Sequence, residues 1–426
     1  MYSCSAMVHL KVTPESALAD EPVKIKAWGL PSRQIVTIRA WLKDDRGEMF
    51  YSRAFYESND EGEVDLQQSP ATGGDFHGVH PMGLFWALKP VTPHFRLLKR
   101  DVMGSPFEVH LELYCHLELN AMPECSPEAT ASLRRWYVDP GVQRLQVQEG
   151  RLRGSLFIPP GEGPFRGVID LYGGFGGLIE FRSSLLASRG FATLALAYFA
   201  YEDLPKSFDF LDLKYFEEAA QFLSNHPKVY GSGVGVIGVS KGAEMALAMA
   251  SYLPQIAAAV CINGPVTITG STVSYGDLIL PEIPYQRERM MFTQSGGSIM
   301  FRLYVDLTDP EHQACMLPVE KAKGPILFLV GENDQSCDSL SYARASSARA
   351  KEYGKMDVYI ESYPGAGHLL EPPCSPFCPL SRSPSSPIPM IWGGELVAHC
   401  RAQEISWPNI LDFLRKNIPC SKKNKL

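Results

Sequence analysis

The chain has 426 residues, with 40 Lys and Arg against 47 Asp and Glu and a formal net charge of −7. Hydrophobic residues make up 45% and charged residues 20%, which is ordinary for a globular protein and excludes a disordered or fibrous one. The acidic balance argues against nucleic acid as the main partner, because phosphate binding needs a basic surface. No apolar run approaches the roughly 18 residues of a membrane helix. Ten scattered cysteines without a C-x-x-C pair indicate reduced thiols inside a cell.

The N-terminal third of the chain contains short runs rich in β-branched and aromatic residues, separated by turn signals. These runs are Met7–Val12, Val23–Trp28, Ile35–Trp41, Met49–Tyr56, Leu84–Leu88, Phe107–Leu113 and Thr130–Val138. Without amphipathic helices between them, they predict an antiparallel all-β sandwich or barrel. The turn at Asp139–Gly141 indicates a boundary, so we expect an N-terminal sandwich domain over residues 1–141.

Strands and helices alternate in the rest of the chain. The predicted strands are Gly167–Leu171, Ala192–Ala197, Val234–Gly238, Ala257–Ile262, Ile326–Val330 and Val358–Ser362, and the predicted helices are Phe181–Arg189, Leu213–Asn225, Lys241–Tyr252, Ser341–Glu352 and Trp407–Asn417. This alternation predicts an α/β domain over residues 142–426 with a mostly parallel sheet. The stretch 265–318 breaks the rhythm between two strands, which predicts a cap insertion. We expect Pro372–Met390, rich in Pro and Ser, to be a surface loop.

The candidate nucleophile is Ser240 in the sequence Gly238-Val239-Ser240-Lys241-Gly242, which matches G-x-S-x-G. The motif alone is weak evidence. Its position between an apolar strand and a helix, however, is the setting of a nucleophile elbow, whose glycines avoid collisions with neighbouring backbone. The alternative is a serine that merely caps the helix.

An acid and a histidine follow Ser240 in the order typical of an α/β-hydrolase. Asp334 comes just after the predicted strand Ile326–Val330, and His368 follows the next strand along the chain. Glu332 is a rival acid, since it is closer to the strand end. His399 precedes the last predicted helix instead of following a strand. A serine hydroxyl needs such a base, so we expect the catalytic residues Ser240, Asp334 and His368, with a solvated loop histidine as the alternative for His368.

A glycine-rich loop, Tyr172–Gly177, follows the first predicted strand of the α/β domain. Such a loop lets backbone N–H groups face an oxyanion without obstruction. The expected oxyanion-hole donors are the backbone N–H groups of Lys241 and Phe175. A dinucleotide-binding loop is the alternative, but the glycine spacing is not G-x-G-x-x-G.

Long blocks of the chain resemble one family, the type-I acyl-CoA thioesterases with bile acid-CoA:amino acid N-acyltransferase. The blocks are Val8–Thr13, Glu21–Leu30, Asp170–Leu178, Leu194–Pro205, Ser240–Glu244, Cys261–Pro265, Pro364–His368 and Ile391–Glu395. The resemblance implies a sandwich domain ahead of an α/β-hydrolase domain. It also implies hydrolysis of fatty acyl-CoA to free fatty acid and coenzyme A through an acyl-enzyme, without a metal or redox cofactor.

Two readings of the reaction follow from the resemblance. The bile acid-conjugating member carries cysteine as nucleophile and the thioesterases carry serine, so Ser240 favours hydrolysis. Acyl transfer to glycine or taurine is the alternative, and a catalytically idle hydrolase fold is a third hypothesis. For the phosphates of coenzyme A, the cap arginines Arg287, Arg289 and Arg302 are candidates, although solvated surface arginines are the simpler interpretation.

The last three residues, Asn424-Lys425-Leu426, resemble the S-K-L tripeptide that a peroxisomal import receptor recognises. Asn424 departs from the pattern, because a small residue is usual there. We expect a peroxisomal protein, with a cytosolic one as the alternative. The pair Cys374 and Cys378 has x₃ spacing and no further ligands nearby in sequence, so we interpret both as loop thiols.

Overall fold

The computed structural model describes residues 7–294, 296–307, 309–383 and 386–420. The chain forms two compact units, one of Met1–Tyr137 with Pro372–Cys378 and the other of Val138–Glu371 with Pro379–Leu426. The boundary after residue 141 therefore stays a prediction. Across the described ranges, no helix is both long and apolar enough to cross a membrane. The C-terminal tripeptide lies outside the described residues.

The first unit is built from short strands with one helical turn. Its elements are β1 (His9–Thr13), β2 (Ser16–Leu18), β3 (Lys24–Trp28), β4 (Ile35–Lys43), β5 (Met49–Glu57), β6 (Val64–Asp65), β7 (Gly73–Gly74), α1 (Gly83–Trp86), β8 (Lys89–Pro90), β9 (Phe107–Tyr114) and β10 (Ala129–Trp136). One sheet has the order β1-β3-β6, and the other has the order β2-β10-β9-β4-β5-β7 with β8 paired to β5. This confirms a sheet-rich N-terminal domain.

Alternating burial explains how the two sheets share a core. Along β5, buried and partly exposed residues alternate, with Phe50 and Tyr56 almost fully buried. Strand β1 packs against β9 and β10 of the larger sheet. The predicted strand over Leu84–Leu88 is wrong, because Gly83–Trp86 forms helix α1 with all four residues buried. A short apolar run indicates burial and does not by itself distinguish a strand from a helix.

The second unit alternates strands and helices. Its strands are β11 (Gln143–Val147), β12 (Arg153–Ile158), β13 (Arg166–Leu171), β14 (Phe191–Ala197), β15 (Phe210–Asp212), β16 (Val234–Val239), β17 (Ile256–Ile262), β18 (Ile268–Thr269), β19 (Thr272–Tyr275), β20 (Leu278–Ile279), β21 (Glu282–Ile283), β22 (Met291–Phe292), β23 (Ser298–Ile299), β24 (Ile326–Gly331), β25 (Val358–Tyr363), β26 (Leu380–Ser383) and β27 (Ser386–Ile391). Its helices are α2 (Phe181–Ser188), α3 (Leu213–Asn225), α4 (Lys241–Tyr252), α5 (Pro310–Gln313), α6 (Ser339–Glu352) and α7 (Leu396–Asn417).

The main sheet has eight strands in the order β11-β12-β14-β13-β16-β17-β24-β25. The strands β14, β13, β16, β17, β24 and β25 are parallel to one another, which confirms the predicted parallel α/β sheet. The chain order reverses between β13 and β16, where Leu171 is the register partner of Gly238. Ligands of open α/β sheets bind outside the carboxyl ends of the strands at such a reversal.

Three features of this unit differ from the predictions. The antiparallel strands β11 and β12 at the sheet edge were not predicted. Helix α7 begins at Leu396 instead of Trp407, with Pro408 inside it. The predicted surface loop over Pro372–Met390 is wrong, because β26 and β27 form a hairpin that pairs with β23. This hairpin depends on a partner strand distant in sequence, which local composition does not reveal. Between β17 and β24 the described residues form short strands, the short helix α5 and 3₁₀ turns.

Candidate active site

Ser240 occupies a sharp turn between β16 and α4. Its φ of 57° lies in a region that side-chain-bearing residues rarely adopt, at a cost of about 1–3 kcal/mol. A Cβ atom on Gly238 would lie 2.1 Å from the Gly242 oxygen, and one on Gly242 would lie 2.3 Å from the Leu171 oxygen. Both positions therefore require glycine, as the elbow motif indicates. The Ser240 N–H donates to the Ile262 oxygen at 2.9 Å, which ties the turn to β17.

The glycine-rich loop after β13 lies directly against Ser240. A Cβ atom on Gly173 would lie 2.9 Å from the Ser240 Cβ and 3.5 Å from its Oγ. Within the described part of the chain, the backbone N–H groups of Phe175 and Lys241 have no hydrogen-bond partner. Unpaired backbone donors near a nucleophile are what an oxyanion hole requires, and the placement of Phe175 and Lys241 in such a hole stays a prediction.

A buried ion pair anchors this loop at its two ends. Arg182, in the first turn of α2, donates from Nε to Asp170 Oδ1 at 2.9 Å, and Ser183 Oγ donates to Asp170 Oδ2 at 2.7 Å. Both charged side chains are only 4% exposed. A buried pair is tolerated where further hydrogen bonds compensate for desolvation. It links the end of β13 to the start of α2, so the loop between them has fixed ends.

The Lys241 side chain is buried below the elbow. Its Nζ forms an ion pair with Glu244 and donates to Ser271 Oγ at 2.6 Å and to the Thr269 oxygen at 3.2 Å. Burial raises the pKa of Glu244 to about 7. These contacts join the start of α4 to the stretch that follows β17, and they hold the residue whose N–H is a candidate donor.

Asp334 and His368 form a buried pair. His368 Nδ1 lies 2.8 Å from Asp334 Oδ2, which also accepts from Ser339 Oγ at 2.8 Å. The other carboxylate oxygen accepts the backbone N–H groups of Ser336 and Cys337 at 2.7 and 3.0 Å. These contacts orient the carboxylate toward the histidine ring.

Glu332, the rival acid, is exposed, and no contact with His368 is found in the described ranges. The structure therefore brings Asp334, and not Glu332, to the histidine.

The imidazole of His368 is held in one orientation. Its ring is 1% exposed and stacks on Trp392, with centroids 5.5 Å apart and planes 12° from parallel. Trp392 is itself fixed, because its Nε1 donates to Ser381 Oγ at 2.8 Å. Among the described residues, the buried Nε2 of His368 has no hydrogen-bond partner. A buried unpaired nitrogen costs about 1–3 kcal/mol, and such exceptions call for an explanation in function.

Asn263, which the sequence analysis missed, joins the acid loop to the histidine loop. It follows β17 with a φ of 46° and is completely buried. Its Oδ1 accepts the Gly331 N–H at 2.8 Å, and its Nδ2 donates to the oxygens of Gly367 and His368 at 3.1 and 2.8 Å. One amide thus fixes the distance between the chain segments that carry Asp334 and His368.

His399 supports the histidine loop from behind and lies in the first turn of α7, not before that helix as predicted. Its Nδ1 accepts the Gly367 N–H at 3.0 Å, and its Nε2 lies 3.0 Å from the Leu369 oxygen. Burial lowers the pKa of His399 to about 4. The ring is therefore neutral at physiological pH, which matches one nitrogen accepting and the other donating.

The cap arginines proposed for coenzyme A are exposed. Arg289 and Arg302 line a cavity of about 930 Å³ whose wall also carries Glu288, Asp306 and Asp338. This mixed charge does not form the basic rim that several phosphates require. Around Ser240 the described residues contain no group of three side chains placed to bind a metal ion.

The main sheet, the elbow and the residues at the strand ends define an α/β-hydrolase. The chain belongs to the BAAT and acyl-CoA thioester hydrolase family: residues 211–419 match "BAAT / Acyl-CoA thioester hydrolase C terminal", and residues 20–149 match "Acyl-CoA thioester hydrolase/BAAT N-terminal region". This confirms the resemblance seen in the sequence.

Relatives of two kinds are similar over nearly the full length. Acyl-coenzyme A amino acid N-acyltransferase 2 of Mus musculus is 52% identical, over 97% of this chain and 98% of that protein. Bile acid-CoA:amino acid N-acyltransferase of Homo sapiens is 50% identical with the same coverage. Acyl-coenzyme A thioesterase 1 of Homo sapiens is 44% identical, over 94% of each chain. Among solved structures, Pyrococcus horikoshii acylaminoacyl peptidase matches with a TM-score of 0.42 and 12% identity, over 96% of this chain and 60% of that one.

The site residues missed from the sequence differ in the signal they offered. Asn263 directly follows a predicted strand, the same placement that singled out Asp334 and His368, so it was detectable in principle. Arg182 and Trp392 carry no such signal. Arg182 meets Asp170, and Trp392 meets His368, only through the packing of the first turn of α2 and of the residue that follows β27.

The bridging role of Asn263 predicts a large loss of stability when its amide is removed. Asn263→Ala leaves the buried Gly331 N–H and Gly367 oxygen without this partner, so we expect a loss of about 2–4 kcal/mol in unfolding free energy. Asn409→Ala is the matched control, because it removes one hydrogen bond to Glu361 from a partly exposed site; about 0.5–1.5 kcal/mol is expected there. Urea denaturation measures both, and equal losses would contradict the bridging role.

Proposed function

We propose that this protein is an acyl-CoA thioesterase that hydrolyses fatty acyl-CoA to free fatty acid and coenzyme A through an acyl-enzyme on Ser240. The observation that carries the proposal is the Asp334–His368 pair, in which Asp334 Oδ2 lies 2.8 Å from His368 Nδ1 and His368 Nε2 is unpaired. His368 and the strained Ser240 both follow strands that end at the same edge of the main sheet. The named thioesterases among its relatives support the substrate class. No metal or redox cofactor enters the proposed reaction.

The first half-reaction transfers the acyl group to the enzyme. Ser240 Oγ attacks the thioester carbonyl carbon, and its proton passes to His368 Nε2. Asp334 keeps Nδ1 protonated and stabilises the imidazolium that forms. The carbonyl oxygen becomes an oxyanion, which accepts from the Lys241 and Phe175 N–H groups. As the carbon–sulfur bond breaks, His368 returns the proton to the departing coenzyme A thiolate.

The second half-reaction repeats the chemistry with water. His368 Nε2 removes a proton from a water molecule as its oxygen attacks the Ser240 ester. A second oxyanion forms at the same two donors and collapses to the free acid, and Ser240 Oγ takes the proton back from His368. The hydrogen bonds to Asp334 and the stacking of His368 on Trp392 keep the imidazole ring in one orientation for both steps.

A second candidate function is transfer of the acyl group to an amino acid. One observation favours it: the named N-acyltransferases are 49–52% identical to this chain, whereas the named thioesterases are 42–44% identical. The first half-reaction is then unchanged, and an amine replaces water in the second. Serine at position 240 weighs toward water, because an oxyester is less electrophilic toward amines than a thioester.

Removing the nucleophile tests the acyl-enzyme directly. Ser240→Ala should lower the rate of acyl-CoA hydrolysis at least about 10³-fold, since the covalent step is lost. The release of coenzyme A thiol measures the rate, and circular dichroism checks the fold.

Asp334→Asn should lower the rate by about 10²–10⁴. Glu332→Gln is its matched control, being an exposed carboxylate two residues away, and should leave the rate near wild type.

A folded Ser240→Ala protein with more than a few per cent of the wild-type rate would rule out the nucleophile assignment.

The acceptor is tested by the ratio of products. Wild-type protein with acyl-CoA and excess glycine or taurine should give free acid almost exclusively. Ser240→Cys should hydrolyse more slowly and give a larger share of amide, because its acyl-thioester is more readily attacked by an amine. Mass spectrometry measures the ratio of N-acyl amino acid to free acid.

Two controls complete this experiment. Reactions without protein give the background of spontaneous aminolysis, and Ser240→Ala gives the background of the folded protein. Abundant amide from the wild-type protein above both backgrounds would favour the transferase over the thioesterase.

We also propose a peroxisomal location, supported by the C-terminal Asn424-Lys425-Leu426 and by a relative named peroxisomal succinyl-coenzyme A thioesterase. A fluorescent protein fused to the N-terminus should colocalise with a peroxisomal marker by microscopy. Deletion of the last three residues should release the signal to the cytosol. A diffuse signal from both fusions would contradict the proposal.

A further inference from the structure

Three side chains with metal-ligating atoms meet in the first unit, on the connection between β9 and β10. They are His116, Glu118 and Cys125, whose ligand atoms all lie within 4.8 Å of one another. Glu118 is buried, whereas His116 and Cys125 are exposed. Ser240, Asp334 and His368 all belong to the second unit. This cluster therefore belongs to a different unit from the residues of the proposed reaction.

The three ligand atoms form a nearly equilateral triangle. His116 Nε2 lies 3.6 Å from Glu118 Oε2. Cys125 Sγ lies 3.6 Å from His116 Nε2 and 3.7 Å from Glu118 Oε2. Tetrahedral Zn²⁺ with ordinary bond lengths requires about 3.4 Å between nitrogen and oxygen, and about 3.6 Å from sulfur to either. The observed triangle fits a shared ion.

Direct hydrogen bonding accounts for only two sides of this triangle, because the Cys125 thiol lies within hydrogen-bonding distance of His116 Nε2 and Glu118 Oε2, at 3.6 and 3.7 Å. A nitrogen–oxygen hydrogen bond spans about 2.7–3.2 Å, and charge assistance shortens it further. The 3.6 Å separation of His116 Nε2 and Glu118 Oε2 is too long for such a bond. Each pair is held at the separation that two ligands of one ion adopt.

The surrounding structure prepares the ligands. Glu118 Oε1 accepts the Asn120 N–H at 2.7 Å, which leaves Oε2 for an ion. Thr37 Oγ1, from β4, donates to the His116 oxygen at 2.7 Å and accepts the Glu118 N–H at 2.9 Å. One threonine thus fixes the backbone of two ligands, as outer partners of metal sites do.

We propose that His116, Glu118 and Cys125 bind one Zn²⁺ ion, with solvent as the fourth ligand. Thiolate and imidazole donors with one carboxylate suit zinc in tetrahedral geometry. As the sulfur–zinc bond forms, the Cys125 thiol loses its proton to solvent. Neutral His116, the Cys125 thiolate and the Glu118 carboxylate then balance the two positive charges of the ion. The ion cross-links the two ends of the 116–125 segment, which is a structural role.

Metal titration of the full-length protein tests the site. The protein is stripped with a chelator and titrated with Co²⁺, whose thiolate charge-transfer absorbance reports a sulfur ligand, and with Zn²⁺ by calorimetry. We expect one ion per chain, with a charge-transfer band that Zn²⁺ abolishes by displacement. Zn²⁺ should also raise the melting temperature, because it binds the folded state preferentially.

Single substitutions assign the ligands. Cys125→Ser should abolish the charge-transfer band, and His116→Gln and Glu118→Gln should each weaken zinc binding at least about tenfold. Cys115→Ser is the matched control, since it removes a neighbouring thiol that is outside the cluster and should leave binding unchanged. Circular dichroism verifies folding, and His116→Gln carries the test if Cys125→Ser does not fold.

Two results would overturn the proposal. One is a folded wild-type protein that takes up neither ion. The other is binding that survives all three ligand substitutions, which would assign the ion to different residues.

Discussion

The candidate site depends on one constraint, the common direction of the strands β13, β16, β17, β24 and β25 in the main sheet. Parallel neighbours lie about 4.8 Å apart, so the segments that follow them emerge side by side at one edge. In strand order these segments contribute the glycine-rich loop, Ser240, Asn263, Asp334 and His368. The reversal of chain order between β13 and β16 places the first two next to each other, as the contact of Gly173 with Ser240 shows.

Burial then makes every polar group at this edge costly unless it is paired. Asp334 has four hydrogen-bond donors, and Asn263 uses both ends of its amide. Against this background, three groups without partners stand out in the described part of the site: His368 Nε2 and the N–H groups of Phe175 and Lys241. Glu244 Oε2, buried below the elbow, is a further one. The His368 nitrogen can accept a proton, and the two N–H groups can stabilise a negatively charged oxygen. His368 Nε2 and the two N–H groups are what the proposed acyl transfer requires.

The structure corrected the sequence analysis where an element depends on a distant partner. Residues 84–88 are apolar and predict a strand, but Gly83–Trp86 forms the buried helix α1. Residues 380–391 carry no clear alternation, yet they form β26 and β27 because β23 provides a neighbouring strand. The local pattern indicates which secondary structure a segment prefers, whereas pairing with a neighbouring strand decides which structure it forms.

The sequence by itself determined the local features. Periodicity placed the strands of the main sheet and the helices between them, and the residues at strand ends singled out Ser240, Asp334, His368 and the glycine-rich loop. Only the tertiary structure decided which acid meets His368, since Asp334 and Glu332 share one loop and only the folded path turns Asp334 inward. The same holds for the contacts of Asn263 and Trp392. These contacts join residues far apart in the chain, and their geometry follows from strand order and loop path, which local propensity does not encode.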